Sequence, residues 1–152
     1  TWIDANIICM PGSESLLKAH ETMSEIATFV HGDRKCVYDE GEAVRLRKLD
    51  YGPVVDRAVK RLEKAGMPRA LGLYETNVIF SRCEDMLVRE FFDEWWRHIW
   101  LGSRRDQLSF TLASWLKQLS ISSLDGPNST KNSRLFSKVS HHKTASRMVG
   151  AV

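Results

Sequence analysis

Asp4 and Asn6 stand two residues apart near the end of an alternating run, Trp2-Ile3-Asp4-Ala5-Asn6-Ile7-Ile8. Alternation with period two predicts a strand that carries both polar residues on one face. A carboxylate and an amide oxygen placed so can reach one hard cation and the diphosphate it bridges. The same pair also fits a turn, because Asp and Asn are turn formers. Further along, Glu75-Thr76-Asn77 leads into the β-favouring Val78-Ile79-Phe80. An acid and an amide there can bind hydroxyls by paired hydrogen bonds, or can simply introduce an edge strand. Asp106-Gln107 precedes an apolar helical run, and Ser103-x-x-Asp106 also fits a capping box.

The elements that must position these residues are predicted from periodicity. Pro11-Gly12 ends the first strand, and Ser13 caps a helix carrying Leu16, Leu17, Met23 and Ile26. Ala27-Thr28-Phe29-Val30 reads as a short buried strand and His31-Gly32-Asp33-Arg34 as a loop. Covering helices are expected over Tyr38 to Leu49 and after Pro53, the latter stopped by Gly66 and Pro68. A strand is expected within Leu71 to Ser81, and a long helix over Glu84 to Leu101 with Val88, Phe91, Phe92, Trp95, Trp96 and Ile99 as its apolar stripe. A last helix starts at Ser103 and carries Leu108, Leu112, Trp115, Leu116 and Leu119. Trp95, Trp96, Trp100 and Trp115 fall at the spacing that packing alone requires, so they are assigned to the core rather than to a sugar-stacking platform.

From Ser120 the composition turns polar and basic, so residues 121–152 are expected to form a loosely docked tail behind a domain of residues 1–120. Strands separated by helices predict an α/β fold.

Composition narrows the function. The 152 residues, 43% hydrophobic and 27% charged, suit one globular domain. The formal charge of +3 comes from basic residues after Asp125 rather than from a basic face interleaved with aromatics, which argues against a nucleic-acid partner. Cys9, Cys36 and Cys83 show neither disulfide nor zinc spacing. No apolar run approaches the roughly 20 residues that span a bilayer. No H-x-x-H pair, G-x-S-x-G elbow or Cys/His cluster supports a hydrolase. Asn128-Ser129-Thr130 fits a glycosylation sequon, which has meaning only in a secretory compartment.

Four ordered segments carry a resemblance. They are Trp2 to Ile7, His31-x-x-Arg34-x-Cys36-Val37-Tyr38-Asp39-Glu40-x-Glu42-Ala43, Glu75-Thr76-Asn77-Val78-Ile79, and Gly102-Ser103-Arg104-Arg105-Asp106-Gln107-Leu108-Ser109-Phe110. Together, from Trp2 to about Lys143, they resemble a glycosyltransferase-like family long catalogued only as a domain of unknown function, whose plant members include mucilage-related and turgor-regulation proteins. The resemblance implies a GT-A-like (Rossmann-like) mixed sheet flanked by helices, related in layout to family-eight glycosyltransferases. Trp2 then falls inside a strand, with the first βαβ units and most of the nucleotide-binding region expected upstream.

The implied activity is transfer of a sugar from a nucleotide-diphosphate donor to a hydroxyl acceptor, a glycan or polysaccharide, assisted by Mn²⁺ or Mg²⁺. The resemblance places the metal at Asp4 and Asn6 with His141 or His142 as a further ligand. Asp106 would position or deprotonate, with Gln107 and Glu75 orienting sugar hydroxyls. Asn77, Arg104, Arg34, Tyr38 and Glu40 would bind donor or acceptor, although Glu40 and Glu42 equally suit a solvated helix face. A non-catalytic module descended from such an enzyme is the alternative, and a lipid-amide hydrolase ranks below both. The expected compartment is the cytoplasm, or the Golgi lumen for a eukaryotic chain with an upstream anchor.

Overall fold

A computed structural model describes residues 1–16 and 25–139. The strands are β1 (Trp2–Ile3), β2 (Ile7–Cys9), β3 (Ile26–Val30), β4 (Tyr74–Ser81), β5 (Ile121–Ser123) and β6 (Phe136–Lys138). The helices are α1 (Val37–Leu46), α2 (Gly52–Lys64), α3 (Met86–Trp100) and α4 (Gln107–Lys117). The four-stranded sheet has the order β1-β4-β3-β5, and β2 and β6 form a separate antiparallel ribbon. β4 runs antiparallel to β1 and β3, whereas β5 runs parallel to β3, so the sheet is mixed. The α/β class holds at this level.

Alternation along β3 and β4 sends successive side chains to two apolar layers. Ile26 and Ile79 join Val88 and Phe91 of α3 and Phe110 and Ala113 of α4 on one face. Phe29, Val78 and Phe80 join Ile7 and Phe136 of the ribbon on the other. A third cluster ties α1 and α2 to α4 through Val37, Val44, Val55, Leu62, Leu108 and Leu112. Gly41 allows α1 and α2 to meet, since a Cβ there would lie 2.7 Å from the Val59 Cγ2. No helix among the described residues is long and apolar enough to cross a membrane.

Several expectations change. The run from Trp2 to Ile8 is two short strands joined by a turn, closed by the Ile7 N–H donating to the Asp4 carbonyl at 3.0 Å. β1 pairs with β4 and β2 with β6, so Asp4 and Asn6 belong to the turn that changes sheets, not to one strand face. Ile26 lies in β3 rather than in the preceding helix, most of which falls outside the described residues. Ser103 does not cap α4: its hydroxyl donates to Asp50 Oδ2 at 2.7 Å, and the cap is Asp106, whose Oδ1 accepts the Gln107 N–H at 3.0 Å. Trp95 packs against Phe91 and Phe110, but Trp96 and Trp100 are 65% and 79% exposed, so the tryptophans are not one core group.

The segment expected as a loosely docked tail also differs. Up to Val139 it supplies β5 to the main sheet, β6 to the ribbon, and buried Ser129, Thr130 and Phe136. Residues 121–139 are thus built into the sheet and core of the described fold.

Candidate functional site

The register of β3 against β4 builds the site. Thr28 pairs with Ile79 but Phe29 pairs with Glu75, so the stretch Thr76-Asn77-Val78 is extra length on β4 and bulges. A bulge strands backbone carbonyls that must find donors. The fully buried Thr28 hydroxyl meets them, lying within hydrogen-bonding reach of the Glu75 and Val78 carbonyl oxygens. On the other side, the Asp4 N–H donates to the Asn77 carbonyl at 2.8 Å, which sets the Asp4–Asn6 turn beside the bulge.

Each polar side chain of the bulge is held by a partner distant in sequence. Glu75 Oε2 accepts the Thr130 N–H at 3.0 Å and the Asn77 Nδ2 at 3.4 Å. Asn77 Oδ1 accepts the Thr130 hydroxyl at 2.9 Å in a buried contact. Thr76 donates its hydroxyl to Asp106 Oδ2 at 2.7 Å, and the Gln107 Nε2 reaches the Tyr74 carbonyl at 3.4 Å. The start of α4 is thereby docked onto β4. Trp95 reinforces this by donating its indole N–H to the Asp106 carbonyl at 3.1 Å.

The loop before α1 closes the opposite side. The His31 Nδ1 accepts the N–H groups of Asp33 and Arg34, each at 3.1 Å, which folds the loop into a tight turn. Burial lowers the His31 pKa first and the Arg34 guanidinium lowers it further, while Glu40, Glu75 and Asp33 act in the other direction. Arg34 Nε donates to Glu40 Oε2 at 2.5 Å, and Glu40 is only 1% exposed. This pair clamps the loop to α1.

These segments surround a polar cleft of about 360 Å³. Of the residues expected to act, Asp4, Asn6, Arg34, Glu40 and Glu75 line it. So do Asn77, Asp106 and Gln107. The expected set therefore converges from four places in the chain. Two expected residues stand elsewhere. The Tyr38 hydroxyl is buried and donates to the Met67 carbonyl at 2.7 Å with Arg69 over the ring, which is a packing role. Arg104 points to solvent and lies 3.8 Å from Asp50. Burial would raise the Asp50 carboxyl, but hydrogen bonds from Ser103 and the N–H groups of Tyr51 and Arg104 hold it below its usual range. His141 and His142 lie outside the described residues.

Of the four residues expected to hold a metal, two lie among the described residues. Asp4 and Asn6 border the cleft, with Asp4 Oδ1 accepting the Trp2 indole N–H at 3.3 Å. Among the described residues no group of three or more His, Cys, Asp or Glu is placed to hold a metal ion. A cation on the Asp4–Asn6 turn would take its remaining oxygens from ligand phosphate and water.

Sequence reasoning missed the residues that hold the site together. Thr28 and Thr130 carry no local signal beyond β-propensity and a sequon. Arg47, Arg105 and Lys138 also line the cleft, and none is within 4 Å of a carboxylate among the described residues. Set against known proteins, the chain matches no protein-family model, no curated protein and no solved structure.

Proposed function

We propose that the chain is the catalytic part of a GT-A-like glycosyltransferase, in which the cleft binds a nucleotide-diphosphate sugar and a hydroxyl acceptor. One observation carries the reading: acidic and amide side chains from four sequence segments singled out for this chemistry line a single polar cleft. Such a lining suits a ligand rich in hydroxyls and phosphate, which must be recognised by many directed hydrogen bonds.

In the transfer, the bond from the anomeric carbon to the diphosphate oxygen breaks and a bond to the acceptor oxygen forms. The acceptor loses its hydroxyl proton. Asp106 is assigned to receive or orient that proton: each carboxylate oxygen accepts one hydrogen bond from the chain, from Thr76 and from the Gln107 N–H, and keeps a second lone pair for a ligand. Gln107 and Glu75 orient sugar hydroxyls on either side. Asp4 and Asn6 would hold Mn²⁺ or Mg²⁺, which when bound would offset charge on the departing diphosphate.

The test is a screen of nucleotide sugars for transfer and hydrolysis, repeated with Asp106→Asn. Asn keeps an oxygen for the Gln107 N–H, and the Thr76 hydroxyl can turn to accept from the new amide, so stability should change by less than about 1 kcal/mol. Turnover should fall by a factor on the order of 10² or more. Undiminished turnover in the folded variant would leave Asp106 as a helix cap only. Ligand binding without any turnover would instead favour a non-catalytic module.

A further inference from the structure

The charges around the cleft are matched unevenly. Arg34 is paired with Glu40 and Lys131 with Asp33. The other three carboxylates are satisfied by neutral donors: Asp4 by Trp2, Glu75 by Thr130 and Asn77, Asp106 by Thr76 and the Gln107 N–H. Arg105 has no such complement among the described residues. Its Nε is sealed from solvent and has no hydrogen-bond partner among the described residues, although the side chain borders the cleft. A buried donor left unpaired is costly, and more so on a charged group, so an acceptor entering the cleft would remove a penalty there.

The backbone explains why Arg105 is held there and what stands near it. The Arg105 N–H donates to the Ser103 Oγ at 3.0 Å, and that hydroxyl donates to Asp50, which also accepts the Arg104 N–H at 3.1 Å. The loop carrying Arg105 is thus tied to the segment that follows α1, where Arg47 enters the cleft without a carboxylate partner among the described residues. Two guanidinium groups therefore line the cleft from segments that hydrogen bonds tie together. Guanidinium presents parallel N–H groups that match the oxygens of a phosphate, which a carboxamide or an ammonium does less well.

We infer that Arg105, supported by Arg47, is an anion-binding pole that takes the diphosphate of the ligand directly, so that the chain's own guanidinium groups meet much of the charge assigned above to a metal. This rests on the reading of the cleft as a nucleotide-diphosphate site and names the residues that hold that group.

Inorganic pyrophosphate is the probe, titrated calorimetrically into the protein with a chelator present. Binding is expected without metal, weakened at least tenfold by Arg105→Gln, severalfold by Arg47→Gln, and less than twofold by Arg57→Gln, an exposed arginine of α2 outside the cleft. In unmodified protein, pyrophosphate should slow phenylglyoxal modification of Arg105 and leave Arg57 unaffected, as read by mass spectrometry. That arm decides the matter if Arg105→Gln does not fold. No binding in chelator, wild-type affinity in folded Arg105→Gln, or equal modification with and without pyrophosphate would each overturn the inference. Arg105-dependent pyrophosphate binding with no sugar transfer from any donor would uphold the pole and defeat the transferase reading. Sugar transfer that pyrophosphate inhibits equally in wild type and Arg105→Gln would do the reverse.

Discussion

Two hollows of similar size show how differently charged residues can surround space in one small protein. The cleft measures about 360 Å³, and a second hollow of about 380 Å³ lies between α1 and α2. The second is lined by Asp39, Glu42, Arg45, Asp56, Lys60, Glu63 and Arg69, as many charges as a binding site would carry. They come, however, from the exposed sides of two neighbouring helices and the turn that follows, and their ion pairs, Arg45 with Asp56 and Arg69 with Asp39, are 3.8 Å apart and solvated. In the cleft the charges come from segments up to 134 residues apart, Asp4 to Lys138, and the carboxylates of Glu40, Glu75 and Asp106 are fixed by partly buried hydrogen bonds to residues of other segments or of the loop before α1. Charge density alone therefore does not distinguish a site. Long-range fixation is what sets the proposed site apart.

The contrast is tested most severely at Glu40. Removing one member of a buried pair leaves the other uncompensated, at a cost of about 3–5 kcal/mol, and because Arg34 keeps some solvent contact the lower end applies. Glu40→Ala should therefore lower stability by roughly 3 kcal/mol in denaturant titration. A loss below about 1 kcal/mol would put this pair in the same class as the surface pairs and dissolve the distinction.

Thr130→Val gives a smaller and more local effect. The change preserves shape but strips the donor from buried Asn77 Oδ1, while the backbone N–H to Glu75 survives. A stability loss of about 1–2 kcal/mol is expected, with weaker ligand binding because Asn77 is freed to turn. Unchanged stability together with unchanged ligand affinity would show that the Thr130 bridge is incidental.

Sequence periodicity makes the helices and the buried strands legible, because α1 to α4, β3 and β4 each repeat an apolar pattern over enough residues to define a face. It fails where elements are short. An alternating run and two short strands joined by a turn look alike over Trp2 to Ile8, and the decision lies with the separate partners β4 and β6. β5 and β6 are three residues each and partly serine, so their pairing with β3 and β2 leaves no local trace. In the site, acids and amides are visible as residue types, but the register jump after Thr28 that turns them into the cleft is a property of two strands together. The same holds for Thr130, which reads as part of a sequon and acts as a clamp. Trp96 and Trp100 mislead in the opposite sense, since their spacing suits burial while the layer available to α3 is filled by Val88, Phe91 and Trp95.

The smallest effect belongs to the helix hollow and sharpens the contrast from the other side. Arg45 and Asp56 are 58% and 51% exposed at their side chains, so water screens their attraction and each side chain loses rotamer freedom by holding the pair. A double-mutant cycle with Arg45→Gln and Asp56→Asn should give a coupling below about 0.5 kcal/mol, reduced further by salt. The same cycle on Arg34→Gln and Glu40→Gln should give several times more and respond weakly to salt, because Glu40 is shielded from counterions. Pyrophosphate affinity should also stay within twofold in Arg45→Gln, although that residue carries the same charge as Arg47 two positions further along α1 and its cap. The carboxylate partner of Arg45 and its place outside the cleft account for the difference. A coupling near 2 kcal/mol, or a tenfold loss of pyrophosphate binding, would make the helix hollow a second organised site and end the claim that fixation from distant segments marks the functional one.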